Sequence, residues 1–176
     1  RIAEVVAKKN WPSEDVIINL QGDEPFIAAD LITAVAEALM VTSDASVSTA
    51  CFPIVDRSDL FDTNLVKVVL DHQNRALYFS RAPIPWARET FSSGQKLIPK
   101  DYVGLGHIGL YGYRSKFLLE YSDLPHSPLE NQEKLEQLRV LQAGHKIIVT
   151  LTQAPPAPGI DTPDDLERAR QFASTL

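Results

Sequence analysis

Short apolar, β-branched runs recur along the chain, separated by helical patterns. Asp15-Val16-Ile17-Ile18-Asn19-Leu20 and Lys146-Ile147-Ile148-Val149-Thr150-Leu151 read as fully buried strands, the first as a parallel one. Residues 28–40 read as a helix and 45–54 as a strand, with a short helical turn at 58–61. Residues 66–70 and 76–79 flank the polar run Asp71-His72-Gln73-Asn74-Arg75, which predicts a hairpin. Residues 80–100 carry several prolines and Trp86 and read as a long irregular loop, a type that is commonly functional or interface-forming. Residues 103–113 mix Gly with Ile, Leu and Tyr. They read as a strand whose glycines allow a bulge or a close ligand approach, and their spacing fits neither a P-loop nor a dinucleotide fingerprint. Ser127-Pro128-Leu129-Glu130 is a capping box with proline at the first helical position, followed by Leu135, Leu138 and Leu141 at helical spacing. The whole reads as one α/β domain over residues 1–176, with no repeat or linker.

Two acidic motifs stand at strand ends. Gln21-Gly22-Asp23-Glu24-Pro25 follows the first buried run. Open α/β sheets place ligands at the carboxyl ends of their strands, and a carboxylate there is a hard oxygen donor suited to magnesium. Gly-Asp and Glu-Pro are also ordinary turn chemistry, so metal ligand and solvated turn both fit. Gly159-Ile160-Asp161-Thr162-Pro163-Asp164-Asp165 follows the last buried run. Thr162 reads as an N-cap, Pro163 as the first helical residue and Asp165 as the capping-box acid; Asp161 precedes the cap and is not needed by it.

Composition narrows the class. At 176 residues and 44% hydrophobic content, the chain can bury one sizeable core. Its formal net charge of −6 argues against a non-specific nucleic-acid binder, and no apolar run approaches a membrane span. The single cysteine, Cys51, excludes an internal disulfide and fits a reducing cytoplasm; in its strand-like setting it reads as a buried, inert thiol. The opening run Arg1-Ile2-Ala3-Glu4-Val5-Val6-Ala7-Lys8-Lys9 is helical in period without a cap before it, which predicts a helix cut in its middle.

Five blocks together resemble the 3-deoxy-manno-octulosonate (KDO) cytidylyltransferases. They are residues 19–25; Tyr78-Phe79-Ser80-Arg81-Ala82-Pro83-Ile84-Pro85-Trp86; His107-Ile108-Gly109-Leu110-Tyr111-Gly112-Tyr113-Arg114; Leu135-Glu136-Gln137-Leu138-Arg139-Val140-Leu141; and residues 159–163. The resemblance implies a nucleotide-diphospho-sugar transferase fold, a three-layer α/β/α sandwich with a mixed sheet. It implies CTP and KDO as substrates, Mg2+ as cofactor and a cytoplasmic homodimer. Asp23 and Asp161 fall at the family's catalytic magnesium ligands, and Arg1 at a nucleotide-side arginine. Gln21, Arg81, Arg88, His107, Tyr111, Glu136 and Gln137 fall at its sugar-binding positions. The family's nucleotide loop, Arg-x-x-Ser-x-Arg-x-Pro-x-Lys, is not among these residues. A sheet incomplete on its N-terminal side, and a chain inactive by itself, are therefore expected.

Several of these residues also have a plainer reading. Arg81 and Arg88 fit surface salt bridges, and His107 and Tyr111 fit structural residues of a Gly-rich strand. Glu136 and Gln137 fit the exposed face of a leucine-rich helix. Another sugar-acid cytidylyltransferase, such as one acting on acylneuraminate, shares the two-aspartate logic, and a non-catalytic dimerising remnant fits the missing loop.

Overall fold

The computed structural model describes residues 2–22, 25–92, 98–153, 155, 159–160 and 162–174. The helix-like opening is helix α1, Ile2–Lys9. Strand β1 (Val16–Asn19) and helix α2 (Ala29–Val41) follow, then β2 (Val47–Pro53) and the short α3 (Arg57–Phe61). The hairpin forms from β3 (Lys67–Leu70) and β4 (Ala76–Ser80). Its turn is held by Asp71, whose Oδ1 accepts from the Gln73 and Arg75 N–H groups at 2.8 Å each.

The 80–100 segment is less irregular than its prolines suggest. It contains α4 (Arg88–Ser92), and the Trp86 ring packs edge-on against Phe91 and Phe61 at 5.1 and 6.4 Å. Residues 93–97 lie outside the described residues.

After the long β5 (Leu105–Arg114) come α5 (Ser115–Glu120) and a 3-10 turn at Tyr121–Asp123, neither of which the sequence pattern announces. Next are α6 (Pro128–Glu133), α7 (Gln137–Gln142), β6 (Ile147–Leu151) and α8 (Pro163–Ala173). Ser127 caps α6 as expected, its Oγ accepting from the Glu130 N–H at 2.9 Å.

The described strands form one six-stranded mixed sheet in the order β4-β3-β5-β2-β6, with β1 also on β5. The expectation of a parallel ladder at β1 is corrected: Val16–Asn19 pairs antiparallel with Tyr111–Arg114. β5 runs back between β1 and β2 and is antiparallel to both, while β2 and β6 pair in parallel. β1, β2 and β6 consequently point the same way, and the chain leaves β1 and β6 at the same edge of the sheet.

β5 organises the layers. Its residues alternate between full and partial burial along its whole length. Ile108 and Leu110 meet Val35, Leu31 and Ile32 of α2 on one face. On the other face Tyr111 and Tyr113 join Phe117 of α5, Leu138 and Val140 of α7, and Leu135 from the joint between α6 and α7. Helices thus cover both faces of a mixed sheet, as the expected sandwich requires. Gly106 and Gly112 of β5 serve packing. A side chain at Gly106 would stand 2.7 Å from the Phe52 ring, and the strand bulges opposite Thr49 and Ala50 beside Gly109. Arg114 ends α2 by donating from Nη2 to the Leu39 and Thr42 carbonyls at 2.8 and 3.0 Å, and from Nε to Ala45 at 2.9 Å. Cys51 is fully buried in the α5–α7 face, and burial pushes its thiol up to about 12, too high for a nucleophile.

Candidate active site

A cleft of about 670 Å³ opens where α1, the end of β1, the β5 face and the α6–α7 joint converge. Ile2 and Ala3 of α1 line one side, and Asn19 and Gln21 line the strand-end edge. Tyr111 and Tyr113 come from alternate positions of β5, and Tyr121 and Ser122 from the turn after α5. Lys134, Leu135, Glu136, Gln137 and Val140 close the far wall.

The aromatic wall follows from strand periodicity. Tyr111 and Tyr113 share a face and stack at 5.8 Å with 22° between their rings, and Phe117 continues the stack below Tyr113 at 6.5 Å and 6°. Burial pushes both phenols well above the usual tyrosine range, with Glu136 and Tyr121 adding to the rise. At neutral pH each is an uncharged phenol that both donates and accepts hydrogen bonds.

His107 stands behind this wall, not in it. Its ring packs on Phe79 at 5.1 Å and Tyr111 at 5.4 Å, and its Nε2 lies 2.9 Å from Thr49 Oγ1. That hydroxyl also reaches the Ile108 and Leu110 carbonyls at 3.1 and 2.8 Å. Carbonyls only accept, so the Thr49 proton goes to them, and His107 Nε2 carries a proton and donates. Burial pushes the His107 pKa down to about 3, so the ring is neutral.

The α6–α7 joint supplies the polar wall. Lys134 takes the left-handed conformation at φ 57°, turning the chain between two helices of six residues each. Gln137 is buried, at 8% exposure, while Glu136 and Lys134 are exposed where they line the cleft. Arg139 holds α7 to α6 through paired bonds to Glu130 at 2.6 and 2.7 Å and lies over the Tyr121 ring at 5.2 Å.

The structure therefore brings Gln21, Tyr111, Glu136 and Gln137 into one cleft. Arg81 and Arg88 are not among the described residues that line it. Arg81 donates from Nε to the Glu133 carbonyl and from Nη1 to the Thr63 carbonyl, both at 2.8 Å, and Arg88 is exposed at the start of α4. Arg1, Asp23 and Asp161 lie outside the described residues. Among the described residues, no group of three or more His, Cys, Asp or Glu is placed to hold a metal ion. Near the segments that carry the two aspartates, Phe26 pairs edge-on with Phe172 of α8 at 4.9 Å.

Sequence reasoning missed Lys134, Tyr113 and Tyr121 as cleft residues. Tyr113 was accessible through its period-2 relation to Tyr111. Tyr121 sits on a turn without an advance signal, and Lys134 reaches the cleft through a left-handed residue that composition does not announce.

Comparison with known proteins bears on this site. The family model described as cytidylyltransferase matches residues 1–147. The chain is 51% identical to the 3-deoxy-manno-octulosonate cytidylyltransferase of Nitrosococcus oceani, over 99% of this chain and 68% of that protein. It is 48% identical to the enzyme of the same name from Methylococcus capsulatus, with the same coverage. The Stenotrophomonas maltophilia protein of that name is 47% identical over 100% of this chain and 68% of its own length. A solved structure of CMP:2-keto-3-deoxy-manno-octonic acid synthetase complexed with CTP superposes with a TM-score of 0.86 at 36% identity, covering 99% of this chain and 66% of that one. The chain spans about two thirds of the length of these relatives.

Proposed function

Because the chain belongs to the 3-deoxy-manno-octulosonate cytidylyltransferase family, we propose that it serves the transfer of CMP from CTP to KDO, releasing pyrophosphate and giving CMP-KDO for lipopolysaccharide synthesis. The observation that carries this reading is the 51% identity to a KDO cytidylyltransferase across 99% of the chain.

In the reaction the anomeric hydroxyl oxygen of KDO bonds to the α-phosphorus of CTP. The bond from that phosphorus to the bridging oxygen breaks, pyrophosphate leaves, and the hydroxyl proton passes to water. Positioning and electrostatics supply most of the acceleration in transfers of this kind. We assign Gln21, Glu136 and Gln137 to the sugar hydroxyls, together with the neutral Tyr111 phenol. His107 keeps the Tyr111 ring in place from behind. The sugar carboxylate calls for a cation. We retain Arg81 and Arg88 for it by resemblance and add Lys134, which lines the cleft. Arg1 is assigned to the nucleotide side.

Asp23 and Asp161 are our choice for holding Mg2+, since two carboxylates form the hard-oxygen donor set that this ion takes. When bound, Mg2+ neutralises phosphate charge and orients the reacting oxygens. We further propose a cytoplasmic homodimer, with the half-exposed Trp86 and its neighbour Phe61 as apolar contact surface; a monomeric mass by sedimentation would remove that part.

The test uses the natural gene product that carries this sequence. CTP turnover is measured with KDO and with N-acetylneuraminate, in the wild type and in Asp23→Asn and Asp161→Asn. KDO should be strongly preferred. Each substitution should lower turnover by about two or more orders of magnitude without unfolding the protein. Preference for neuraminate overturns the substrate, and activity within a fewfold of wild type in both variants overturns the metal assignment.

A further inference from the structure

We propose that Glu133 is a positioning residue for the sugar-acid side of this transfer: it sets the cleft wall formed by Lys134, Glu136 and Gln137 without lining the cleft itself. This role presupposes the CMP transfer to KDO proposed above.

The wall is a demanding piece of backbone. It joins two helices of six residues each, too short to hold their directions by internal hydrogen bonds alone. Its pivot, Lys134, has the left-handed backbone of a helix C-cap, uncommon for an L side chain, and its N–H donates to the Glu130 carbonyl at 2.7 Å. Leu135 and Leu138 anchor the joint in the core together with Val140. Glu130 and Arg139 fix the two helices to each other, not to the sheet.

Glu133, the residue before the pivot, makes the connection to the sheet. Its Oε1 accepts from Ser80 Oγ at 2.7 Å and from the Tyr78 hydroxyl at 3.5 Å. Its Oε2 accepts from the Arg81 N–H at 2.9 Å, and its carbonyl accepts from Arg81 Nε at 2.8 Å. The end of β4 that supplies these donors is itself fixed. The Arg81 carbonyl accepts from Lys67 Nζ at 2.6 Å. Lys67 is fully buried and spends its other donors on the Asp62 and Leu65 carbonyls at 2.8 and 2.7 Å. A rigid path thus runs from Lys67 through Arg81 to Glu133, and one pivot further on the chain enters the cleft wall.

The acceptor count provides the test. Glu133→Gln keeps one side-chain oxygen that can accept from Arg81 N–H or Ser80 Oγ, and Glu133→Ala keeps none. In the natural gene product, KDO and CTP are varied separately. Glu133→Ala should raise the KM for KDO about ten- to hundredfold, the range expected of a small misplacement of binding groups, with the KM for CTP within about twofold. Glu133→Gln should recover to within about fivefold of wild type. An unchanged KM for KDO, an equal rise for both substrates, or a Gln variant as impaired as Ala overturns the proposal. If Glu133→Ala does not fold, Ser80→Ala, which removes one donor to the carboxylate, should raise the KM for KDO alone by about three- to tenfold; no change there overturns it equally. If the wild type does not use KDO, the functional reading fails, and the positioning role is decided separately by amide hydrogen exchange in this chain. Glu133→Ala should speed exchange at residues 134–138 about tenfold or more relative to β6, and unaltered exchange overturns it.

Discussion

On one side of β5, Ile108 and Leu110 pack against α2 at 2% and 0% exposure; on the other, His107, Tyr111 and Tyr113 stand part-buried behind and along the cleft. The backbone is the same and the residues alternate one by one, yet the faces differ in kind. The α2 face holds aliphatic side chains and glycines pressed against Phe52 and Ser48. The cleft face holds rings with polar tips, spaced by Gly109 and backed by a histidine that bonds inward to Thr49. The contrast implies a division of effects: substitutions on the first face act on stability, and substitutions on the second act on binding.

Leu110→Ala should produce the largest change. Removing a fully buried leucine leaves a cavity between sheet and α2 and should destabilise by about 2–5 kcal/mol, read from urea unfolding of this chain. The KM for KDO of the folded natural gene product should stay within about twofold, since Leu110 faces away from the cleft. A loss below about 1 kcal/mol would break the comparison at its firmest point.

The same alternation explains what was legible beforehand. The strands of β2, β5, β6 and the hairpin, and the helix α2, carry periodic apolar positions; Ser127 and Pro128 announce the start of α6. The sense of pairing at β1 was not legible. A short apolar run states that it is buried, not which distant strand lies beside it or in which direction that strand runs. α5 was missed because it begins directly after β5, with Arg114 at the N-cap position and no side-chain cap bond. Of the candidate site, Gln21, Tyr111, Glu136 and Gln137 were named through the resemblance and meet in the cleft. Glu133 escaped notice because its meaning lies in a hydrogen bond to Ser80, 53 positions away in sequence.

His107 tests whether a residue of the cleft face can behave as core. Burial lowers its pKa from the usual 6.5 to about 3. Between those values the unfolded chain binds a proton that the folded chain does not, so stability is fully present above about pH 6.5 and falls as pH drops towards 3. Asp44 and Asp71, whose carboxyls are held below the usual 3.8, lose their stabilising effect only as pH falls below that value. Of these three shifts, only that of His107 spans the interval from about pH 4.5 to 6.5. His107→Gln keeps an N–H for Thr49 and does not titrate. Urea midpoints over that interval should slope with pH in the wild type and be nearly flat in the variant. Equal slopes would move the titration to another group and return His107 to the exposed face.

The smallest expected effect on stability is also the sharpest test of the division. Tyr111→Phe removes one oxygen and keeps the ring, with its stack on Tyr113 at 5.8 Å and its contact with His107 at 5.4 Å. The packing of the α5–α7 face is therefore retained, and the unfolding free energy should change by less than about 1 kcal/mol. Binding should respond differently. The phenol is neutral at working pH, as tyrosines ordinarily are, and burial raises its pKa further, so it offers KDO both a donor and an acceptor. Losing one such bond should raise the KM for KDO about five- to tenfold, equivalent to about 1–1.4 kcal/mol, with the KM for CTP unmoved. Leu110→Ala and Tyr111→Phe would then be adjacent residues with opposite signatures, one in stability and one in sugar affinity. A Tyr111→Phe protein destabilised by more than about 2 kcal/mol, with its affinity for KDO intact, would show that the hydroxyl serves the core and that both faces of β5 are built for packing.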